Sequence, residues 1–183
     1  QTRVSSFTYN ALGFLASESI EPCPRPAFTG LTITAACDSK LTLTTSYGYD
    51  GFGNRNSATV SGGLIGSISD VAPRTTTTQY DTQGRFPIST TNALNQTETR
   101  TFDNKFGGMT GLTGPNQITT TWTYDGFGRK TNEGRADGTS STWSYNATAG
   151  SIQGQAYRYS VTATSTGAPN VTSYFDTLNR AVV

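Results

Sequence analysis

The sequence feature that most constrains the fold is a short pattern that returns along the chain. It consists of an aromatic residue, then Asp or Asn, then two or three more residues, and then Gly. Its copies begin at Tyr9, Tyr49, Tyr80, Phe102, Tyr124, Tyr145 and Phe175, and the copy at Tyr145 is less regular. A pattern with a nearly fixed period predicts a repeat protein, in which each unit buries its apolar face only against its neighbours.

Composition favours strands for these units. Apolar residues make up 33% of the 183 residues and charged residues 14%, and Thr, Ser, Gly and Asn supply much of the remainder. Thr and aromatic residues favour strands, whereas Gly and Asn favour tight turns. Because Asp81, Asp103 and Asp125 lie 22 residues apart, we expect an all-β chain of antiparallel β-hairpin repeats of about 21–22 residues, forming one array over residues 1–183.

Each copy of the pattern predicts a turn, here called the motif turn. Its Asp or Asn accepts hydrogen bonds from nearby backbone amides, and its Gly supplies a positive φ without a Cβ clash. In the last copy Asn stands at the Gly position, and Asn is the residue that best tolerates that conformation after Gly. The residues predicted to form these turns are Asn10, Gly13, Asp50, Gly53, Asp81, Gly84, Asp103, Gly107, Asp125, Gly128, Asn146, Asp176 and Asn179.

A second turn, here called the return turn, is predicted about 12 residues after each motif Asp or Asn. Asp137-Gly138, Pro115-Asn116, Asn92 to Asn95, Gly62-Gly63 and Pro22 all fall in this slot. Two longer intervals predict inserted loops at about 22–39 and 62–72, both on the return-turn edge. A third insertion falls within about 147–170 and is not placed, although Tyr157-Arg158-Tyr159 is a candidate strand within it.

The strands before the motif turns alternate in character. An aromatic residue stands two positions before the motif aromatic in several copies, so both side chains should lie on one sheet face and Thr or Ser on the other. Core packing is the interpretation we favour for these aromatics, and a ligand-stacking platform is the alternative if they face water. The candidate stacking residues are Tyr47, Tyr49, Trp122, Tyr124, Trp143 and Tyr145.

Cys23 and Cys37 are the two cysteines of the chain. They are 14 residues apart in a Pro-containing segment, and the chain has no His with which to complete a usual zinc site. A disulfide that closes this loop is the favoured interpretation and would indicate an oxidising compartment, whereas two unpaired thiols are the alternative.

The units Tyr80-Asp81-Thr82-Gln83-Gly84-Arg85 and Tyr124-Asp125-Gly126-Phe127-Gly128-Arg129-Lys130 resemble the YD repeats of the RHS (rearrangement hotspot) family. The resemblance extends from Phe7 to Arg180. It implies a long twisted β-sheet strip that winds as a spiral. In that family the strip builds a hollow shell in secreted bacterial toxins, wall-associated proteins and type VI effectors, and in animal teneurins, where it encloses a toxic domain or serves as an adhesive scaffold.

The chain also departs from the family pattern. Seven units are too few to close such a shell, so the resemblance implies a partial one. The Asp-Pro motif of the family's self-cleaving segment is absent from these 183 residues. The expectation is therefore a repeat scaffold that is a segment of a longer polypeptide or a processed product, without a cargo role of its own.

Catalytic chemistry has little support in the sequence. Without His, a Ser-His-Asp or Cys-His nucleophilic site is excluded. The motif carboxylates come one per unit and are explained as turn caps, with calcium binding as a weaker alternative. We expect no enzyme activity and no cofactor. A net charge of +1 without a basic run argues against nucleic-acid binding, and no apolar stretch has the length of a membrane span.

The sequence thus predicts a non-catalytic YD-repeat scaffold, secreted or on a cell surface, that encloses, presents or adheres. Its expected partners are the rest of a longer RHS-type polypeptide or further copies of itself. Two alternatives stay open: a carbohydrate-binding or adhesion module that uses the sheet-face aromatics, and a filament subunit that self-assembles through open sheet edges.

Overall fold

A computed structural model describes residues 4–21, 42–65 and 68–182. The predicted disulfide between Cys23 and Cys37 and the predicted loop at 22–39 lie outside these residues. The chain divides into two compact units, Gln1–Thr97 and Glu98–Val183. Each of the two is an array of the same hairpin, and one array over residues 1–183 stays a prediction.

The first unit contains six antiparallel strands in chain order, each paired with the next where the pairing is described. Motif turns connect the first strand to the second, the third to the fourth and the fifth to the sixth. The strands are β1 (Ser5–Tyr9), β2 (Leu15–Ile20), β3 (Leu43–Tyr49), β4 (Arg55–Ile65), β5 (Ile68–Tyr80) and β6 (Pro87–Thr91).

The second unit repeats the arrangement with seven strands in its main sheet and a separate two-stranded hairpin, β12 with β13. Its strands are β7 (Thr97–Phe102), β8 (Met109–Thr113), β9 (Thr119–Tyr124), β10 (Lys130–Gly134), β11 (Ser140–Asn146), β12 (Gly150–Ile152), β13 (Gln155–Tyr157), β14 (Tyr159–Ser165) and β15 (Val171–Phe175). The predicted fold class, an all-β chain of antiparallel hairpin repeats, is confirmed.

The two faces of a strand differ as the alternation predicts. In β9 the side chains of Trp122 and Tyr124 are half-buried, whereas Thr121 and Thr123 are exposed. Cross-strand pairs of hydroxyl groups, 2.7–2.9 Å apart, line the Thr-bearing positions. In the first unit they join Thr8 to Ser17, Ser19 to Thr44, Thr59 to Thr75 and Thr91 to Thr97. In the second unit they join Thr101 to Thr110, Thr113 to Thr119, Thr123 to Thr131 and Thr162 to Thr172.

A deep apolar core is missing from the described part of the chain. Among the residues whose burial is described, which leave out 63–71, Val4 is the one buried apolar residue, with 6% of its surface exposed. Stability must therefore come from the many contacts between neighbouring strands, because each half-buried side chain packs against the adjacent hairpin.

Gly62-Gly63 lies within β4 and does not form the predicted return turn, and the described residues of the predicted loop at 62–72 belong to β4 and β5. Instead β4 continues to Ile65 and pairs with β5 from Ile68 onward. The β-branched residues of this segment favour extended backbone, and pairing satisfies their peptide groups. Gly62 is required for another reason: a Cβ there would lie 2.5 Å from the carbonyl oxygen of Thr42 and 2.9 Å from the Cα of Leu43.

The insertion within 147–170 lies at the motif-turn edge, opposite to the edge predicted for the other two. Strand β11 pairs directly with β14 from Ser141 with Ser165 to Asn146 with Ser160, and the β12–β13 hairpin is inserted between them in the chain. Tyr157-Arg158-Tyr159 is not a single strand, because Tyr157 ends β13 and Tyr159 begins β14. The Asn146 turn is thus expanded into a hairpin.

Candidate functional site

The motif turns share one hydrogen-bonding arrangement. In the turn at Asp125, the carboxylate Oδ1 accepts the backbone N–H groups of Phe127 at 2.9 Å and of Arg129 at 3.0 Å. In the turns at Asn10, Asp50 and Asp176 the side-chain oxygen likewise accepts the backbone N–H groups of the second and fourth residues after it. The side chain therefore satisfies amides that the ladder leaves unpaired.

Three turns vary this arrangement. The carboxylate of Asp81 binds the amides of Arg85 and Phe86, because its turn is one residue longer. The Asp103 turn is also longer and binds the amides of Lys105 and Phe106. Asn146 retains a single bond, from the amide of Thr148, which agrees with the hairpin that replaces the rest of its turn.

Positive φ angles occupy the Gly position of each closed motif turn. The values are 81° at Gly13, 87° at Gly53, 68° at Gly84, 70° at Gly107, 77° at Gly128 and 61° at Asn179. Asn179 thus adopts the left-handed conformation that Gly adopts in the other copies.

The second carboxylate oxygen of several turn residues binds a cation or an amide of the same turn. Arg129 and Arg180 form ion pairs of 2.7 Å with Asp125 and Asp176, and Arg85 forms one of 3.4 Å with Asp81. In the Asp50 turn the partner is the side-chain amide of Asn54, at 3.2 Å. In these four turns both carboxylate oxygens thus already bind groups of the protein itself.

The pKa values of these carboxyls are shifted accordingly. Desolvation raises the pKa of Asp50, Asp81 and Asp125, but hydrogen bonds from the turn amides and from Asn54, Arg85 and Arg129 outweigh it, so each pKa lies below its ordinary value. For Asp176 the backbone amide of Arg180 is the largest cause, and the pKa is again lowered.

We expect acid to destabilise the protein through these turns. A lowered carboxyl pKa contributes stability at pH values above the ordinary Asp value of about 4, and this stability is lost as the pH falls through the lower pKa of the folded state. Thermal unfolding followed by circular dichroism should therefore show a falling Tm from about pH 4 downward. Asp125→Asn is the matched control: like Asn10, it keeps the acceptor oxygen, and its Tm should fall less over the same range. A Tm independent of pH below 4 would contradict this account.

A hydrogen bond from four of the five motif tyrosines links the side chain to the preceding hairpin, and sequence reasoning missed this bond. The hydroxyl donates to a backbone carbonyl of the preceding hairpin. The acceptor is always the first residue of that hairpin's second strand. The pairs are Tyr49 with Leu15 at 2.9 Å, Tyr80 with Arg55 at 3.4 Å, Tyr124 with Met109 at 2.7 Å and Tyr145 with Lys130 at 2.9 Å. We call this bond the tyrosine latch. The preference for Tyr over Phe at this position was the signal in the sequence.

A second contact between neighbouring hairpins involves the turn Gly. A Cβ built at Gly84 would lie 2.5 Å from the ring of Phe52, and one at Gly128 would lie 3.1 Å from the ring of Phe106. At Gly53 the ring of Phe14 would be 3.0 Å away. The turn Gly therefore has two roles, because it supplies the positive φ and also leaves room for an aromatic ring of the preceding hairpin.

The candidate stacking aromatics are half-buried and contact other parts of the chain. Trp122 donates its indole N–H to Glu133 at 3.0 Å, and this bond is the main reason why the pKa of Glu133 is lowered. The ammonium group of Lys130 lies 5.2 Å from the ring of Trp143 and 5.8 Å from that of Trp122. These are cation–π distances, so one Lys connects both indoles within the sheet face.

In the first unit, Tyr49 stacks on Phe14 with ring centroids 5.0 Å apart, and the guanidinium of Arg55 lies 5.1 Å from the ring centre of Tyr47. Tyr124 and Tyr145 take part in the tyrosine latch. All six candidate stacking residues thus make contacts within the chain, and their use as a ligand-stacking platform stays a prediction.

Other features of a catalytic or binding site are few. An open groove of about 370 Å³ lies between the Asp50 and Asp81 turns, but both carboxylates bind their own turn amides. Among residues 4–21, 42–65 and 68–182 no group of three acidic, His or Cys side chains is arranged to hold a metal ion. The same residues contain no helix long and apolar enough to cross a membrane.

Comparisons with known proteins do not assign the chain to a family. No family model matches the sequence, and no curated protein matches it. Among solved structures, the chain is similar to the crystal structure of TcdB2-TccC3 without the hypervariable C-terminal region. The sequences are 15% identical, the TM-score is 0.43, and the match covers 88% of this chain and 9% of that one. At this identity and TM-score the similarity assigns neither a family nor a function.

Proposed function

We propose that the chain is a non-catalytic structural scaffold of the YD-repeat type. The observation that carries the proposal is the tyrosine latch, which recurs between equivalent residues at four positions, at 2.7–2.9 Å in three of them and 3.4 Å in the fourth. Side chains that would serve a ligand in a binding protein here connect one hairpin to the next. The residues that define the motif are therefore accounted for by assembly of the array.

The chemistry of the motif supports this reading. Acid–base and nucleophilic catalysis need groups that are free to exchange protons or attack a substrate. The chain has no His, and the motif carboxylates accept hydrogen bonds from their own turns. The polar groups are thus arranged to hold backbone in place.

As its biological setting we propose a secreted or surface-exposed protein of the RHS type, in which this array is part of a longer one that encloses, presents or adheres. The repeated pattern from Phe7 to Arg180 supports this proposal. The parent reading frame provides the test: we expect further copies of the aromatic-Asp-Gly pattern beside this segment. A reading frame that contains only these seven copies would contradict the proposal.

Duplication of one repeat tests the scaffold role directly. We expect a chain in which Asp103 to Tyr124 are copied once, directly after Tyr124, to fold cooperatively with a Tm at least equal to that of the parent. Such an insertion adds one complete hairpin and one further latch, and the stability of a repeat protein grows with its number of interfaces. Circular dichroism and thermal unfolding provide the measurement.

A half-unit duplication is the matched control. Copying only Asp103 to Thr113 would reverse the direction of every later strand and remove the latches that follow. We expect this variant to unfold at a lower temperature or to fail to fold. If both insertions were equally damaging, the array would not behave as a set of interchangeable units, and the scaffold proposal would fail.

A further inference from the structure

The motif-turn edge of the second unit has exposed aromatic rings at the tips of its turns. Phe127 is 84% exposed and Phe106 is 46% exposed, and both belong to turns that have other motif turns before and after them in the chain. The ring of Phe106 covers Gly128, but Phe127 covers no described glycine, because the next turn, at Asn146, is expanded into the β12–β13 hairpin. Packing within the array therefore explains Phe106 in part and does not explain Phe127.

Charge is distributed unevenly across this unit. At the motif-turn edge the cations are Lys105, Arg129, Lys130, Arg158 and Arg180, and the carboxylates are Asp103, Asp125 and Asp176. The other charged residues of the unit lie within strands or at return turns, and they are the cations Arg100 and Arg135 and the carboxylates Glu98, Glu133 and Asp137. Cations thus outnumber carboxylates at the edge that carries the exposed rings, and carboxylates outnumber cations elsewhere.

Two of the cations at this edge are available to a partner. Lys105 and Arg158 are exposed, and neither forms an ion pair with a described residue. Lys105 directly precedes Phe106 in its turn, and Arg158 lies between β13 and β14 at the same edge. The motif-turn edge therefore combines apolar rings with positive charges that the described chain does not neutralise.

We propose that the motif-turn edge of the second unit binds an anionic lipid surface. The ring of Phe127, and in part that of Phe106, enters the boundary between lipid headgroups and acyl chains, while Lys105 and Arg158 lie against the lipid phosphates. Adjacent motif turns are about 10 Å apart, which is two strand spacings, so both rings reach the same surface.

Shape and charge both favour a lipid surface as the partner. The apolar rings project from turn tips, whereas a small ligand needs a concave pocket that encloses it. The excess of cations matches the negative potential of a membrane that contains anionic lipids. Exposed apolar side chains also lie at or beside the return turns, where Ile118 is 54% and Val171 is 61% exposed, but carboxylates outnumber cations there. Charge therefore selects one edge and gives the bound protein one orientation.

Co-sedimentation of the purified chain with lipid vesicles tests the proposal. The binding should be weak and reversible, because two rings bury less apolar surface than a myristoyl chain, which by itself anchors only marginally. At low salt, partition into phosphatidylcholine vesicles with about 30% phosphatidylserine should exceed partition into pure phosphatidylcholine about tenfold or more. Most of this binding should be lost in about 0.5 M salt, which screens the charges.

A pair of apolar variants locates the contact. Phe127→Ser should lower the partition into anionic vesicles about fivefold or more, because it removes the ring that enters the membrane. Ile118→Ser is the matched control, since Ile118 is an exposed apolar residue of a return turn, and it should leave the partition unchanged. Thermal unfolding of both variants checks that the fold is intact.

A pair of charge variants locates the attraction. Lys105→Gln and Gln117→Glu each lower the net charge by one, but Gln117 lies exposed in the return turn before β9. Lys105→Gln should weaken binding to anionic vesicles about fivefold, and Gln117→Glu should have much less effect.

Equal partition into neutral and anionic vesicles, or equal effects of Phe127→Ser and Ile118→Ser, would overturn the inference. Absence of vesicle binding would overturn it as well and would leave the exposed rings to a protein partner. The inference goes beyond the scaffold proposal, which unit duplication tests independently.

Discussion

Replacing Gly84 by Ala should destabilise the first unit by about 3 kcal/mol. The backbone at this position has a φ of 68°, and the left-handed conformation costs an L-residue about 1–2 kcal/mol. The new methyl group would also lie 2.5 Å from Cγ and 2.9 Å from Cβ of Phe52. Because these atoms belong to the base of the side chain, a rotation of the ring cannot relieve the clash, and overpacking adds about 1–3 kcal/mol.

Gly13→Ala is the matched control for this prediction. Gly13 holds the same motif position with a φ of 81°, but a Cβ there meets nothing within 4 Å. Its replacement should cost about 1 kcal/mol, from backbone strain alone. Urea unfolding curves of the two variants provide the measurement. Equal losses of unfolding free energy in the two variants would mean that the ring of Phe52 moves aside freely and that contact between neighbouring turns does not contribute to stability.

Gly62→Ala should destabilise the protein by about 2–3 kcal/mol, although its backbone is extended and tolerates any residue. The added methyl would lie 2.5 Å from the carbonyl oxygen of Thr42 and 2.9 Å from the Cα of Leu43. Since both atoms belong to the neighbouring backbone, strands β3 and β4 must separate locally, with loss of ladder hydrogen bonds.

Gly51→Ala provides the control in the same unit. A Cβ at Gly51 meets nothing within 4 Å, and this position does not have a positive φ. The replacement should change the free energy of unfolding by no more than about 0.5 kcal/mol and can be slightly stabilising, because Ala restricts the unfolded chain. If Gly62→Ala were equally mild in urea unfolding, the close approach of the two strands would not be a feature of the folded protein.

The repeat, its strands and the geometry of its turns could be predicted because each depends on residues close together in the sequence. The amides that a motif Asp binds lie two and four residues after it, so the pattern itself contains both acceptor and donors. A positive φ depends only on the residue at that position, which is Gly or Asn179. The alternation of Trp122 and Tyr124 with Thr is equally local, since successive side chains of a strand point to opposite faces.

The tyrosine latch was not predictable in this way, because its acceptor is a backbone carbonyl. Nothing about the identities of Leu15, Arg55, Met109 or Lys130 marks them as acceptors. Their role follows from register, which exists only once the hairpins are stacked. Gly62 was misread for a related reason: a Gly chosen for close approach and a Gly chosen for a turn look the same in a sequence. The opposite placement of the β12–β13 hairpin likewise follows from the pairing of β11 with β14.

The rows of paired hydroxyls give the sheet a polar surface that carries no charge. Thr and Ser do not titrate, and each pair can exchange donor and acceptor without moving its oxygens. The hydration of this surface should therefore be nearly independent of pH and ionic strength, whereas the turn carboxylates respond to both. Acid should weaken the motif turns without changing the hydration of the Thr-bearing face. Loss of stability and loss of solubility should therefore occur under different conditions.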